Sequence, residues 1–210
     1  MKTPSRLSAA LAATLLALLA ACTSEPGKPA DAKPAAKPPD FITGRSAFQK
    51  TYVTAHGWQP DAQPYHLESS VTSDGNGQNG KAAVWSGSFA SAGARLVKTY
   101  TWSGSAAEGA SERGVNPGIE DSYSPSNAST RVFDAAFLKI DSDAAFDTAQ
   151  KHGGDKILEQ DAATPVFYVL DWNRGANLLA WHVVYGASRD SAKLKVAVNA
   201  STGDFIRVEK

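Results

Sequence analysis

The sequence predicts an α+β fold built from two similar halves, each with one helix followed by an antiparallel meander of three or four strands. In each half, a segment with apolar residues at helical spacing precedes segments in which apolar and polar residues alternate, as strands require. Trp181 follows Trp85 by 96 residues, and His152 follows His56 by the same interval. The equal offsets favour an internal duplication, and chance similarity between two small α+β units is the alternative.

Composition excludes several functional classes. Hydrophobic residues make up 42% of the 210 residues and charged residues 20%, which is ordinary for a globular protein and excludes a disordered chain or a multi-span membrane protein. Lys+Arg and Asp+Glu are balanced at 21 each, so no basic field for nucleic acid is expected. Cys22 is the single cysteine, which excludes an intrachain disulfide and a cysteine-rich metal site.

The N-terminus has the pattern of a bacterial secretory leader. Lys2 and Arg6 form a basic start, and an apolar run covers residues 7–21. This run of about 15 residues is short for a membrane span, which needs roughly 20. It ends in Leu19-Ala20-Ala21-Cys22, which resembles the lipobox of bacterial lipoproteins. A plain secretory signal with an accidental cysteine, or a short buried helix, is the alternative.

The lipobox resemblance implies cleavage between Ala21 and Cys22. It also implies a diacylglyceryl group on the Cys22 thiol and an acyl chain such as palmitate on the new amine. Several acyl chains hold a protein on a bilayer where one chain does not. Thr23 stands where an aspartate would favour inner-membrane retention, so the resemblance implies an outer-membrane protein that faces the periplasm.

A tether is expected at residues 22–40. Five of the 11 prolines lie there, among lysines and alanines and without an aromatic residue. Such a segment buries too little apolar surface to order itself and favours extended polyproline II. We expect a spacer, with a proline-rich docking segment as the alternative.

The first predicted module covers residues 41–104. Phe48 and Tyr52 have helical spacing within a helix expected from Arg45 to His56. Strands are expected at 65–71, 82–89 and 95–102.

A connection of about 30 residues, 105–134, is expected to separate the two modules. It is rich in Gly, Ser, Asn and Pro, with Val115, Ile119 and Tyr123 as the residues that could fix it. Loops of this length are functional or mobile, and mobility is the expectation here.

The second predicted module covers residues 135–210. Ser142 is expected to cap a helix that runs to His152 and stops at Gly153-Gly154. On the second of the strands that follow, Trp181, Val183 and Tyr185 share one face and His182 lies on the opposite one. The expected strands are 165–172, 178–185, 193–199 and 205–208.

The second module resembles the PepSY family, known from propeptides of secreted metalloproteases and from related envelope proteins. The run Val196-Ala-Val-Asn-Ala-Ser-Thr-Gly203 is similar to the family's V-x-V-[DN]-A-x-T-G hairpin. Residues 41–104 would be a degenerate copy, because Thr99–Gly104 lacks this signature. The resemblance implies an α+β fold, a location outside the cytoplasm and a binding or inhibitory role, and it carries over no catalytic residue.

Motifs for catalysis, cofactors and metals are not found in a supporting context. Gly75 to Gly80 matches G-x-G-x-x-G, but Lys81–Trp85 continues as a strand, so a hairpin turn is expected instead of a dinucleotide site. The four histidines lack metal-ligand spacing and are expected to cap or pack. No catalytic, cofactor or metal residue is therefore predicted, although a Ser-His-Asp set assembled in space stays open.

The best candidate contact site is the hairpin tip that carries Trp172, Asn173 and Arg174. Trp and Arg dominate binding hot spots. The alternative is that Trp172 packs inward and Arg174 only adds solubility.

These observations predict a lipid-anchored, non-enzymatic binding module with a protein or peptide partner, one that modulates or inhibits an envelope or secreted protease. One alternative is a hydrolase with its site between the halves, which a Ser-His-Asp or His–carboxylate cluster would favour. Another is an assembly accessory that uses an exposed sheet edge.

Overall fold

An eight-stranded antiparallel sheet with helices on one face organises residues 37–209, the part of the chain that the computed structural model describes. The mixed α+β class predicted from the sequence is confirmed. The predictions for the leader, for Ala21 and Cys22, and for the tether up to residue 36 lie outside the described residues.

The elements follow one another in the same general order in both halves. The first half contains β1 (Ile42–Thr43), α1 (Gly44–Trp58), β2 (Gln63–Ser69), β3 (Lys81–Ala82), β4 (Val84–Ser91), β5 (Leu96–Ser103) and β6 (Gly114–Ser122). The second contains α2 (Ser142–Ala149), a π turn (Gln150–Gly154), α3 (Asp155–Gln160), β7 (Val166–Asn173), β8 (Leu178–Tyr185), β9 (Leu194–Asn199) and β10 (Phe205–Glu209). Short 3₁₀ turns lie at Gln78–Gly80, Ala128–Thr130 and Ala135–Phe137.

The sheet joins the two halves edge to edge. Its strand order is β10-β9-β8-β7-β2-β4-β5-β6, so each half supplies a four-stranded meander. Strands β2 and β7 pair at the centre, with Leu67 opposite Leu170, while β1 pairs separately with β3. Because of the β2–β7 pairing, both halves share one continuous sheet and one core.

The side-chain alternation predicted for β8 is confirmed. Trp181, Val183 and Tyr185 are fully buried on the face that carries the helices, and His182 lies on the opposite, open face. Helix α1 contributes Ala47 and Phe48 to the same core. A period of two residues therefore places the main core on one face of the sheet, and the other face carries charged side chains beside a small buried cluster of Phe167, Val169 and Val184.

Two tryptophans form the centre of the core. Trp85 and Trp181 meet edge to face, with ring centroids 6.3 Å apart and an interplanar angle of 74°. The Trp85 indole N–H donates to the Ile42 carbonyl at 3.0 Å, and the Trp181 indole N–H donates to the Ile140 carbonyl at 2.9 Å. Both carbonyls lie two residues before a helix, so each tryptophan fixes the start of the helix of its own half.

The start of α1 is capped by residues of the other half. Gly44 N–H donates to Ser142 Oγ at 2.7 Å, and Arg45 N–H donates to Asp141 Oδ1 at 2.8 Å. The residue that caps α2 is Asp141, whose Oδ1 also accepts from Ser142 N–H at 2.7 Å. The expected role of Ser142 as the cap of its own helix is wrong, because its hydroxyl serves α1 instead.

The second helix does not stop at Gly153-Gly154. The chain makes a π turn with Gly153 at φ 110° and resumes as α3, which the sequence analysis missed. Gly153 can adopt this positive φ without strain, so the α-helical hydrogen-bond pattern is interrupted at the π turn and resumes in α3.

Strand β6 lies inside the segment expected to be a mobile connection. It pairs with β5 along the sheet edge, and Val115 and Tyr123 anchor its ends while Ile119 is 91% exposed. Edge position and the Pro117-Gly118 pair explain why the sequence showed no apolar alternation here. The prediction of an unstructured 105–134 connection is therefore corrected.

The glycine-rich segment 75–80 belongs to the loop between the paired strands β2 and β4. The Tyr168 hydroxyl donates to Gly77 O at 2.7 Å and accepts from Gly80 N–H at 2.9 Å. The segment leads into β3 and not into a helix, so it lacks the context of a dinucleotide site. It is longer than the expected hairpin turn because it docks onto β7.

Gly44 is expected to be intolerant of even one methyl group. A Cβ there would lie 2.5 Å from Trp181 Cη2 and 2.9 Å from Trp85 Cη2, whereas a Cβ at Gly57, in the same helix, would meet nothing within 4 Å. We expect Gly44→Ala to destabilise the protein by about 1–3 kcal/mol. Gly57→Ala, the matched control, should be neutral or stabilising by up to ~1 kcal/mol. Urea unfolding measures both, and equal effects would contradict the packing described.

Candidate functional site

The three predicted contact residues lie at the end of β7 but do not form one surface. Asn173 is buried, and its Oδ1 accepts from Ala176 N–H at 3.1 Å, so it closes the β7–β8 turn. Arg174 is exposed. Trp172 lies on the helix-bearing side and packs against the core. The structure therefore separates Asn173, which is structural, from Arg174.

Trp172 is half-buried under two neighbours. Phe137 packs edge-on at 5.8 Å between ring centroids, and the Arg131 guanidinium lies 5.1 Å from the indole centroid. The indole Nε1–H is buried and has no hydrogen-bond partner within residues 37–209. The inward-packing alternative is therefore correct for Trp172, but it leaves a donor without an acceptor.

Arg174 lines a cleft together with Arg131. The cleft has a volume of about 560 Å³, and one wall is the 3₁₀ turn that contains Ala128. Its remaining lining residues are Tyr123, Pro125, Asn127, Thr130 and Val132. Sequence reasoning selected Arg174 but missed Arg131, because Arg131 lies 43 residues away in the segment taken as a connection.

A second polar group occupies the open face of the sheet, centred on His182. Its Nδ1 lies 2.6 Å from Glu209 Oε2, and its Nε2 lies 3.2 Å from Asp171 Oδ1. The three residues belong to β8, β10 and β7. Arg207 extends the group with a 3.1 Å contact to Glu209.

The network continues across the junction of the halves onto β2. His66 Nδ1 lies 3.8 Å from Asp171 Oδ2, and His66 Nε2 lies 3.0 Å from Glu68 Oε2. Arg189 completes it at 3.4 Å from Glu68. A chain of contacts between polar and charged side chains therefore runs from β10 to β2 and connects the halves on the open face.

The carboxylates around His182 stabilise its protonated form. Burial alone would lower its pKa, but the hydrogen bonds and charges of Asp171 and Glu209 raise the pKa of His182 from 6.5 to about 9. Burial would raise the pKa of Asp171 and of Glu209, but the bonds to His182 outweigh it and lower both. His182 is therefore an imidazolium at neutral pH that donates to two carboxylates.

This arrangement leaves His182 no ring nitrogen with which to accept a proton. A general base needs an available lone pair near a nucleophile. Within residues 37–209, no serine, threonine or cysteine side chain hydrogen-bonds to His182 or His66, and no cluster of three or more His, Cys, Asp or Glu could hold a metal. The geometry supports a structural role, in which charged hydrogen bonds of His182 hold β7, β8 and β10 together.

The other two histidines pack, as expected. A ring nitrogen of His56 lies 3.1 Å from the Tyr52 carbonyl in the last turn of α1. His152 stacks on Phe205 with centroids 3.8 Å apart.

Sequence reasoning missed the network itself. The turn at 173–177 sets a β7–β8 register with Val169 opposite His182, so Asp171 is a diagonal neighbour that could have been inferred. The positions of His66 and Glu209 near this group could not be inferred from the sequence, because they depend on the order of strands from both halves.

Comparisons with known proteins identify a fold and no family. No family model matches the chain, and no curated protein sequence matches it. A crystal structure of a putative lipoprotein from Clostridium difficile 630 is similar, with a TM-score of 0.50 and 14% sequence identity over 78% of this chain and 91% of that chain. At this identity the similarity concerns the fold alone. Within residues 37–209, no helix has the length and apolar character needed to cross a membrane.

The His182 network predicts a specific pH dependence of stability. Because the folded-state pKa is raised, this stabilisation is complete below pH 6.5 and is lost as the pH rises through about 9. Between pH 6 and pH 9 the free energy of unfolding should fall by roughly 2–3 kcal/mol more in the wild type than in His182→Gln. Asp171, Glu209, Arg189 and Lys195 surround His182 and are retained in both proteins.

His152→Gln is the control for this measurement, because His152 contacts Phe205 and no carboxylate. It should keep the wild-type pH dependence in urea titrations. A His182→Gln protein with the wild-type slope would show that the network does not hold the imidazolium as described.

Proposed function

We propose that this protein is a lipid-anchored lipoprotein of the bacterial cell envelope whose folded part is a non-enzymatic polypeptide-binding module. The lipobox-like sequence ending at Cys22 supports the anchor, and the fold similarity to a putative lipoprotein agrees with it. The cleft between Arg131 and Arg174 is the observation that carries the binding role, because it presents two cations beside apolar surface.

We further propose that each half is a PepSY-like module. The predicted hairpin signature lies at the β9–β10 turn, where Asn199 Oδ1 accepts from Ser201 N–H at 2.8 Å and Gly203 has φ 82°. The paired anchors Trp85–Ile42 and Trp181–Ile140 support a duplication, since equivalent bonds recur about 96 residues apart. The first half lacks the hairpin signature and would be the diverged copy.

An envelope or secreted protease is the partner that the PepSY resemblance favours. In this proposal the module binds a segment of the protease in the cleft and modulates or inhibits it. The outer membrane, facing the periplasm, is the proposed location because Thr23 follows the lipidated cysteine.

A hydrolase is the second candidate function. The His66–Asp171–His182 group lies where the halves meet, which is where such a site was expected. The occupied ring nitrogens of His182 weigh against it. The sheet-edge alternative is favoured by exposed apolar residues on both edge strands, Ile119 on β6 and Phe205 and Val208 on β10, but Pro117 in β6 hinders pairing of that edge with another strand.

The anchor is tested by Cys22→Ser. Without a thiol no diacylglyceryl group can be attached, so the protein should leave the outer-membrane fraction. Thr23→Ser is the control that keeps the thiol and should stay in that fraction. Mass spectrometry of the mature N-terminus measures the lipid directly, and an unmodified Cys22 in the wild type would disprove the anchor.

The binding role is tested by site-specific photo-crosslinking in intact envelopes. A photoreactive amino acid at Ala128, an exposed residue of the cleft lining whose replacement leaves both arginines in place, should capture a discrete polypeptide. The same probe at Val53, which is 73% exposed on α1, should not. If the captured polypeptide is instead cleaved, and cleavage stops in His66→Gln, the hydrolase alternative is correct.

A further inference from the structure

We infer that the cleft lined by Arg131 and Arg174 binds a carboxylate of an acidic peptide segment. This inference rests on the proposed function as a polypeptide-binding module and names the chemistry of the segment. Three observations support it: the positive charge of the cleft, the Trp172 indole N–H without an acceptor, and the contacts that fix the position of Arg131.

The cleft is cationic without internal compensation. None of its lining residues is acidic, and within residues 37–209 neither Arg131 nor Arg174 has a carboxylate within 4 Å. Arg189 and Arg207, on the open face, each contact a glutamate. Guanidinium groups bind carboxylates through paired, charge-assisted hydrogen bonds, so the two cleft arginines lack the partner that this chemistry favours.

A buried donor beside the cleft also lacks an acceptor. Trp172 Nε1–H is buried without a partner, and Trp172 and Arg131 together line a cavity of about 170 Å³ that shares Ala128 with the cleft. Buried indole N–H groups normally find a partner. Asp171 lines the same cavity, but its carboxylate oxygens face His182 and His66. The unpartnered donor and the Arg131 guanidinium therefore belong to the same contact, beside the cleft.

Arg131 is positioned before any ligand binds. Its guanidinium lies over the Trp172 ring at 5.1 Å, and its NH2 group lies 3.5 Å from Asn177 Oδ1. The chain on its C-terminal side is fixed by the bond from Phe133 N–H to the Pro64 carbonyl, at 2.8 Å. A pre-oriented guanidinium loses less freedom on binding than a solvated one.

The rest of the lining favours a peptide over a bare anion. Pro125, Ala128 and Val132 offer apolar surface, and Tyr123, Thr130 and Asn127 offer groups for backbone hydrogen bonds. A cleft of about 560 Å³ is in the range of ligand sites that combine apolar walls with a few polar groups. The expected ligand therefore has an acidic residue flanked by small apolar ones.

The test measures binding of two fluorescein-labelled peptides to the full mature protein in detergent micelles by fluorescence anisotropy. One peptide alternates glutamate with alanine, and the other has glutamine in place of each glutamate. The wild type should bind the glutamate peptide at least tenfold more tightly. This preference should weaken at least fivefold in Arg174→Gln, whose exposed side chain is not needed for packing, and vanish in Arg131→Gln/Arg174→Gln.

Arg189→Gln is the matched control, because it removes an exposed arginine that already contacts Glu68. It should bind as the wild type does. In ¹H–¹⁵N spectra, the indole N–H resonance that disappears in Trp172→Phe should shift when the wild type binds the glutamate peptide.

Three results would overturn the inference. These are equal affinity for the two peptides, an unchanged preference in Arg174→Gln, and inorganic phosphate displacing the glutamate peptide at concentrations below the peptide's own Kd. The proposed function would fail differently, through the absence of any crosslink from Ala128 in intact envelopes.

Discussion

The edge-to-face contact between Trp85 and Trp181 is the interaction on which the rest of the structure depends. Each ring is fully buried, and each indole N–H is satisfied by a carbonyl just before a helix, at Ile42 and Ile140. Gly44 lets α1 start directly against both rings. Asp141 and Ser142 then cap α1 from the other half. Burial of the two tryptophans therefore fixes both helices on the sheet and holds the two halves together.

The same sheet that buries the tryptophans presents the charged network on its other face. Strand alternation places His182 next to Trp181 in sequence and on the opposite side in space. His66 and Asp171 bring the network across β2 and β7, the strands where the halves meet. The halves are therefore joined twice, by apolar packing on one face and by contacts between polar and charged side chains on the other, and only the second of these depends on pH.

The contrast between the two polar regions is the reason we propose a binding role and not a catalytic one. In the open-face network Asp171, Glu68 and Glu209 each contact a basic side chain, and His182 donates from both nitrogens. In the cleft, Arg131 and Arg174 lack an anionic partner within the described residues, and the Trp172 N–H lacks an acceptor. A satisfied network stabilises the protein, whereas a group of unsatisfied donors beside apolar surface is typical of a recognition site.

The sequence by itself determined the local structure: the α+β class, all four strands of the second half, and the placement of Trp181 and His182 on opposite faces of β8. These follow from residue periodicity and turn chemistry, which act over a few neighbours. Strand β6 was missed because an edge strand needs no apolar alternation. Tertiary structure decided the pairing of β2 with β7, the capping of α1 by Ser142, the partners of His182 and the approach of Arg131 to Trp172. Each of these joins residues distant in the chain, and their proximity is set by the order of strands in the sheet, which short-range patterns do not encode.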